Sequence, residues 1–193
     1  MPRTSRAAQS AREQVLTDLK NDHKRVKKAY KDFEKLGSAD PEACRAIVEQ
    51  VLLELQVHAA LEEELLYPAA REALKQADLI DEAEVEHESA HQLMDQLRTL
   101  GPDEDKYAAR FTVLCEYVLH HVKEEEGELF PALEEVRLDW EQLAEAMSAR
   151  RQQLTADESD GALVAASGDG QRSGSTLAAN GVSDDGLASS RKI

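Results

Sequence analysis

Apolar residues recur along this chain at intervals of three and four, in long blocks separated by turn formers. Leu16, Leu19, Val26, Tyr30 and Phe33 fall on one face of a helix predicted over about 11–36, which Gly37 stops. Residues 38–43 read Ser-Ala-Asp-Pro-Glu-Ala, offering Asp40 as an N-cap and Pro41 at the first helical position. The second helix then carries Ile47, Val48, Val51 and Leu55 as far as Pro68. A third is predicted over about 79–99, ending at Gly101-Pro102, and a fourth from about Asp105 through Phe111, Leu114 and Val118 to Pro131. Asp139 with Gln142 resembles a capping box for a shorter last helix, about 140–154. No segment alternates as a strand would. The pattern predicts an all-α fold: an up-down-up-down four-helix bundle with a short C-terminal fifth helix.

The apolar stripes are interrupted by polar residues in a regular way. Leu19, His23, Val26 and Tyr30 follow one another on the first helix, and Leu55, His58, Glu62 and Leu65 on the second. The third gives Ile80, His87, His91 and Met94, and the fourth Leu114, Val118, His121 and Glu125. A polar group on a buried stripe costs about 1–3 kcal/mol unless it has a partner. Seven such groups, His23, His58, Glu62, His87, His91, His121 and Glu125, facing one core are most economically explained by a bound metal. Side chains at i and i+4 project from one face about one turn apart, so each pair can reach a common centre. His120 lies about 100° off the stripe and is expected at the boundary.

An internal repeat strengthens this reading. Residues 58–69, HAALEEELLYPA, match residues 121–132, HVKEEEGELFPA, so that His, two Glu, Leu, an aromatic, Pro and Ala recur in register. Two related helical hairpins around one centre favour a two-metal site. Five imidazoles and two carboxylates, without a suitably placed cysteine, suit a mid-series transition metal rather than calcium or magnesium. Two octahedral metals offer about twelve positions. The imidazoles fill five, two bridging carboxylates four and a solvent-derived oxo or hydroxo bridge two, which leaves about one open for a small molecule. Iron fits such a site best.

Residues 87–91, HESAH, also match the zinc-protease signature H-E-x-x-H. One class of these enzymes continues the signature as H-E-x-x-H-x-x-G-x-x-H, where this chain has Met94 for the Gly and Leu97 for the third His, and no strand is predicted to align a peptide. A zinc-dependent hydrolase remains an alternative, as does a metal-free helical interaction module.

Composition adds boundaries. Of 193 residues, 32% are charged and the formal net charge is −16, which argues against nucleic acid as the main partner. Nine of the 23 Lys and Arg nevertheless fall within residues 3–31, read as a solvated helix face. Residues 155–193 hold no aromatic and six of the nine glycines, and are expected to form a disordered Gly/Ser/Ala/Asp-rich tail; residues 1–10 are expected to be flexible. The bundle would then occupy 11–154. No apolar run approaches membrane-spanning length, and Cys44 and Cys115 lie outside any C-x-x-C spacing, so a cytoplasmic setting is expected.

The sequence of motifs, a lone His23, then HAALEE from His58, HESAH from His87 and HHVKEEEGELFP from His120, resembles the hemerythrin-like (HHE cation-binding) family. The resemblance spans about residues 11–154 and implies a non-haem di-iron four-helix bundle. It implies that His87, His91 and His121 bind one iron, that His23 and His58 bind the other, which keeps the open position, and that Glu62 and Glu125 bridge them. Oxygen-carrying members are similar but place an Asp five residues after the last His. Here Glu125 follows His121 by four, as in many bacterial relatives and the iron-sensing and iron–sulfur-repair branches. That points away from reversible oxygen carriage and toward sensing, dioxygen, peroxide or nitric oxide chemistry, or iron handling.

Overall fold

A computed structural model describes residues 5–36, 40–75 and 78–167, with side chains described as far as residue 156. Helix α1 runs Arg6–Leu36 and α2 Pro41–Leu61. Asp40 caps α2 as its sequence predicts: the side chain accepts from the Ala43 N–H at 3.0 Å, and Pro41, with no N–H to satisfy, fits the first turn. A π-helical turn, Glu62–Leu66, then leads into α3, Tyr67–Ala73. Helix α4 spans Asp78–Arg98 and α5 Tyr107–Glu124; a second π turn, Glu125–Leu129, leads into α6, Phe130–Glu135. Helix α7 begins at Trp140, with Asp139 accepting from the Gln142 N–H at 3.1 Å, and is described to Ser167. Among the described residues there is no strand, and the four-helix core with an additional C-terminal helix is as expected.

Several boundaries differ from expectation. Helix α1 starts at Arg6, inside the stretch expected to be flexible, and α7 continues past 154; the rest of the predicted tail, from 168, lies outside the described residues, as do residues 1–4. Pro68 and Pro131 do not end their helices. Proline lacks the N–H that an α-helix would bond to the carbonyl four residues back. The turn before each proline widens instead, and the Tyr67 and Phe130 N–H groups reach back five residues to the Glu62 and Glu125 carbonyls.

Helix α1 packs on α2 and α5, and α4 on α5. The apolar interior falls into two clusters. One holds Leu16, Leu19, Leu61, Leu66, Tyr67, Phe130 and Leu133, closed over by Trp140, Leu143 and Met147 of α7. The other holds Val26, Phe33, Val51, Leu55, Met94, Phe111 and Leu114. On α1, α2 and α4, and from α5 into the second π turn, the change from one cluster to the other falls at a histidine: Leu19–His23–Val26, Leu55–His58–Leu61, Ala83–His87–Met94 and Val118–His121–Leu129. The helices therefore carry a polar layer between two apolar ones.

Candidate metal centre

Six predicted side chains meet in that layer, all nearly inaccessible to solvent: His23, His58, Glu62, His87, His121 and Glu125. They form two overlapping groups whose ligand atoms lie within 4.8 Å of one another: His23, His58, Glu62 and Glu125; and Glu62, His87 and His121. Glu62 belongs to both. The imidazoles face each other through Nε2, with His23 and His58 at 3.3 Å and His87 and His121 at 3.1 Å. Glu62 Oε2 lies 3.1 Å from His58 Nε2 and 3.6 Å from His87 Nε2. Glu125 Oε2 lies 3.3 Å from His23 Nε2 and 3.5 Å from His121 Nε2. Each carboxylate thus spans from one imidazole pair to the other.

Every one of these imidazoles is held from behind by a carboxylate at Nδ1. His23 meets Glu126 at 2.8 Å, His58 meets Asp22 at 3.3 Å, His87 meets Glu63 at 2.7 Å and His121 meets Glu86 at 2.7 Å. A proton kept on Nδ1 leaves the Nε2 lone pair aimed inward, the tautomer a metal ligand requires. The carboxylates follow the sequence repeat. Asp22 and Glu86 each precede a histidine and serve the next helix; Glu63 and Glu126 each follow a bridging glutamate and serve the other hairpin. Sequence reasoning passed over all four, although the paired D/E-H and E-E dipeptides in the two halves carried the signal.

Tyr67 was likewise missed as a site residue. Its hydroxyl, fully buried, lies 3.0 Å from Glu125 Oε1, 3.3 Å from Glu62 Oε2 and 3.2 Å from His87 Nε2. Burial first, and then the charges of Glu62 and Glu125, push its pKa well above the usual range, so it is a neutral donor. The repeat places Phe130 at the corresponding position, where it stacks on His23 with ring centroids 6.0 Å apart and planes within 8°. The two halves thus differ by one oxygen at their centre.

Charges inside the layer stabilise each other against burial. Burial opposes the charge on His58, but Glu62 and Asp22 outweigh it and push the imidazole pKa up to about 10. Burial likewise opposes ionisation of Glu62, yet His58, His87 and His121 pull it down to about 2. Even so, Glu62 Oε1 and Glu125 Oε2 are buried without a hydrogen-bond donor. Two orphaned carboxylate oxygens beside four inward-facing Nε2 atoms are the donor set of a cation site.

His91 does not join the group. It lies one turn farther along α4, its side chain 40% exposed, and its Nε2 takes Glu63 Oε1 at 2.9 Å, the same oxygen that holds His87. His87 and His91 of the HESAH motif therefore meet at Glu63, His87 through Nδ1 and His91 through Nε2, while only His87 turns its Nε2 into the buried layer; Glu88 is exposed. His120, expected at the boundary, is on the surface beside Glu124 at 3.1 Å. Next to the polar layer, a cavity of about 30 Å³ is walled by Val26, Leu55, Met94 and Val118 and floored by the histidines.

A helical bundle whose four main helices each direct a histidine into one buried layer, with carboxylates bridging between pairs, defines a cation-binding domain. The chain belongs to the hemerythrin HHE cation binding domain family, whose model matches residues 14–133. A similar solved structure is the hemerythrin HHE cation binding domain-containing protein of Mycobacterium kansasii, the Rv2633c homolog. It is 26% identical with a TM-score of 0.62, over 79% of this chain and 91% of that one. A protein of Nostoc sp. named DNA nickase is 27% identical over 151 residues, 76% of this chain; the chain spans 42% of that relative's length. The net charge of −16 does not by itself exclude nucleic acid. Among the described residues no helix is long and apolar enough to cross a membrane.

Proposed function

We propose that this protein holds two non-haem irons between its imidazole pairs and that a small oxidant, dioxygen, peroxide or nitric oxide, reaches them through the apolar cavity. The observation that carries this reading is the pair of ligand groups sharing Glu62, with two buried carboxylate oxygens lacking donors. His23 and His58, with Glu62 and Glu125, would hold one iron, and His87 and His121, with Glu62, the other. Iron supplies one-electron redox chemistry and an open position for a small ligand. The chain's own groups do the rest: the four outer carboxylates fix ring orientation, and Val26, Leu55, Met94 and Val118 keep the approach dry. Tyr67 keeps a proton beside Glu62 and Glu125. A cavity this small holds about two water-sized atoms, which suits a diatomic or peroxide and excludes a peptide. With Cys44 and Cys115 buried and joined in no disulfide, the setting proposed is the reducing cytoplasm.

The test is metal content per chain in protein purified without chelator, with an absorption spectrum of the same sample. The expected result is two irons and near-ultraviolet bands of a bridged pair. Stoichiometric zinc without such bands supports the hydrolase; no metal after anaerobic reconstitution with ferrous iron supports an interaction module. Strand nicking, in the name of the Nostoc relative, is a second reading, favoured by the exposed Lys24, Lys27, Lys28 and Lys31 of α1. Metal-dependent relaxation of supercoiled plasmid tests it.

A further inference from the structure

The repeat makes the two halves of the polar layer equivalent in plan, but among the described residues the last helix reaches only one of them, at the carboxylate behind its histidine. Arg151 of α7 places Nη2 2.6 Å from Asp22 Oδ2 and Nη1 3.3 Å from Asp22 Oδ1. Asp22 Oδ2 is also the oxygen that takes His58 Nδ1, at 3.3 Å. Asp22 is 3% exposed and belongs to α1, so one carboxylate joins the first helix, the second and the last. Arg25 bonds Oδ1, from a side chain that is half exposed.

The counterpart in the other hairpin is built differently. Glu86 has one more methylene than Asp22 and reaches His121 Nδ1 at 2.7 Å, and no arginine or lysine pairs with it among the described residues. The shorter Asp22 makes the longest of the four Nδ1 contacts, and it is the one braced by an arginine of α7. Without Arg151, the carboxylate is free to turn toward Arg25 and release the His58 ring. A guanidinium suits the brace because its planar fork meets both oxygens of one carboxylate.

We infer that Arg151 is a positioning residue for one of the two metal centres: through Asp22 it fixes the His58 ring, so that the centre of His23 and His58 depends on α7 and the centre of His87 and His121 does not. The inference rests on the two-metal reading above. The two ions should accordingly bind with different dependence on the last helix, although their histidines are arranged alike. Outer partners of metal-binding histidines typically change affinity about 10–100-fold when removed.

The experiment is anaerobic ferrous iron titration of the full chain, wild type against Arg151→Met, Arg151→Lys and Arg150→Met, with the helix content and thermal unfolding of each metal-free variant. Arg150 grips Glu64 through two bonds of 2.7 and 2.8 Å, one residue away on α7, and so controls for docking of the helix. The expected result is that Arg151→Met binds one iron normally and the other about 10–100-fold more weakly. Arg151→Lys is then intermediate, and Arg150→Met retains both ions at wild-type affinity. Asp22→Asn, which keeps the shape and removes the charge, gives the same selective loss and serves if Arg151→Met unfolds. Two ions at wild-type affinity in Arg151→Met and Asp22→Asn, or equal weakening of both ions, would overturn the inference. So would the same loss in Arg150→Met, which would assign the effect to packing. A wild-type chain that binds no pair of ions overturns the two-metal reading itself, a distinct result.

Discussion

Replacing Tyr67 with phenylalanine removes one oxygen from the middle of the bundle and leaves the ring in place. The ring is fully buried, and the repeat already carries Phe130 at the matching position, so the substitution opens no side-chain cavity of note. What is lost is a neutral donor 3.0 Å from Glu125 Oε1 and 3.3 Å from Glu62 Oε2. Glu125 Oε2 already lacks a donor, so the carboxylate would be left without a hydrogen bond from Tyr67 on its other oxygen too. A hydrogen bond to a charged group contributes about 1.5–3 kcal/mol, and a domain of this size shifts its Tm by about 2–4 °C per kcal/mol. Metal-free Tyr67→Phe should therefore unfold about 3–12 °C lower than wild type, with a matching drop in urea midpoint and an unchanged m-value. A change below about 0.5 kcal/mol would refute the reasoning, because it would mean that the hydroxyl satisfies neither carboxylate. A loss near that of a large-to-small core substitution, about 3–5 kcal/mol, would point to ring packing instead.

His91→Ala should retain the full metal complement while His121→Ala loses metal, read by metal analysis after dialysis; loss in both would return His91 to the ligand set. Metal-free stability should peak between about pH 4.5 and 6.5. The raised His58 pKa contributes stability that is complete below 6.5 and lost as pH rises toward 10, and the lowered Glu62 pKa contributes stability complete above 4.5 and lost as pH falls toward 2. Urea midpoints across that range check it, and a flat profile contradicts the charge network. Met94→Ala, at a side chain 1% exposed on the cavity wall, should cost about 2–5 kcal/mol in urea unfolding. In iron-loaded protein the same change should speed reaction with a bulkier alkyl hydroperoxide relative to hydrogen peroxide.

The helices and most of the polar layer were legible because burial imposes a period of 3.6, and a histidine in phase with leucines has few reasons to be there. Asp40 and Asp139 announced two helix starts for an equally local reason. The missing features depend on depth along the axis or on distant neighbours, which periodicity does not encode. His91 shares a stripe with His87 but sits about 6 Å farther along α4, where Glu63 takes it first. The π turns are invisible to a pattern search that assumes an unbroken helix; only Pro68 and Pro131 hinted at them, and they read as stops. Tyr67 carries no sequence signal of its role, since an aromatic on an apolar stripe is usually core. Nothing within its own hairpin says that Glu125 waits across the layer.

Two of the outer carboxylates cross between hairpins: Glu126 of the second orients His23 of the first, and Glu63 of the first orients His87 of the second. Glu62 and Glu125 also cross, each meeting imidazoles of both halves. Neither hairpin can loosen without disturbing histidines in its partner. Fraying at a helix end would then leave the polar layer closed, and an ion held there could leave only when both halves separate. Exchange of the innermost amide hydrogens and release of the ion should share one opening event, so the lifetime of the loaded state is set by the slowest motion of the whole bundle.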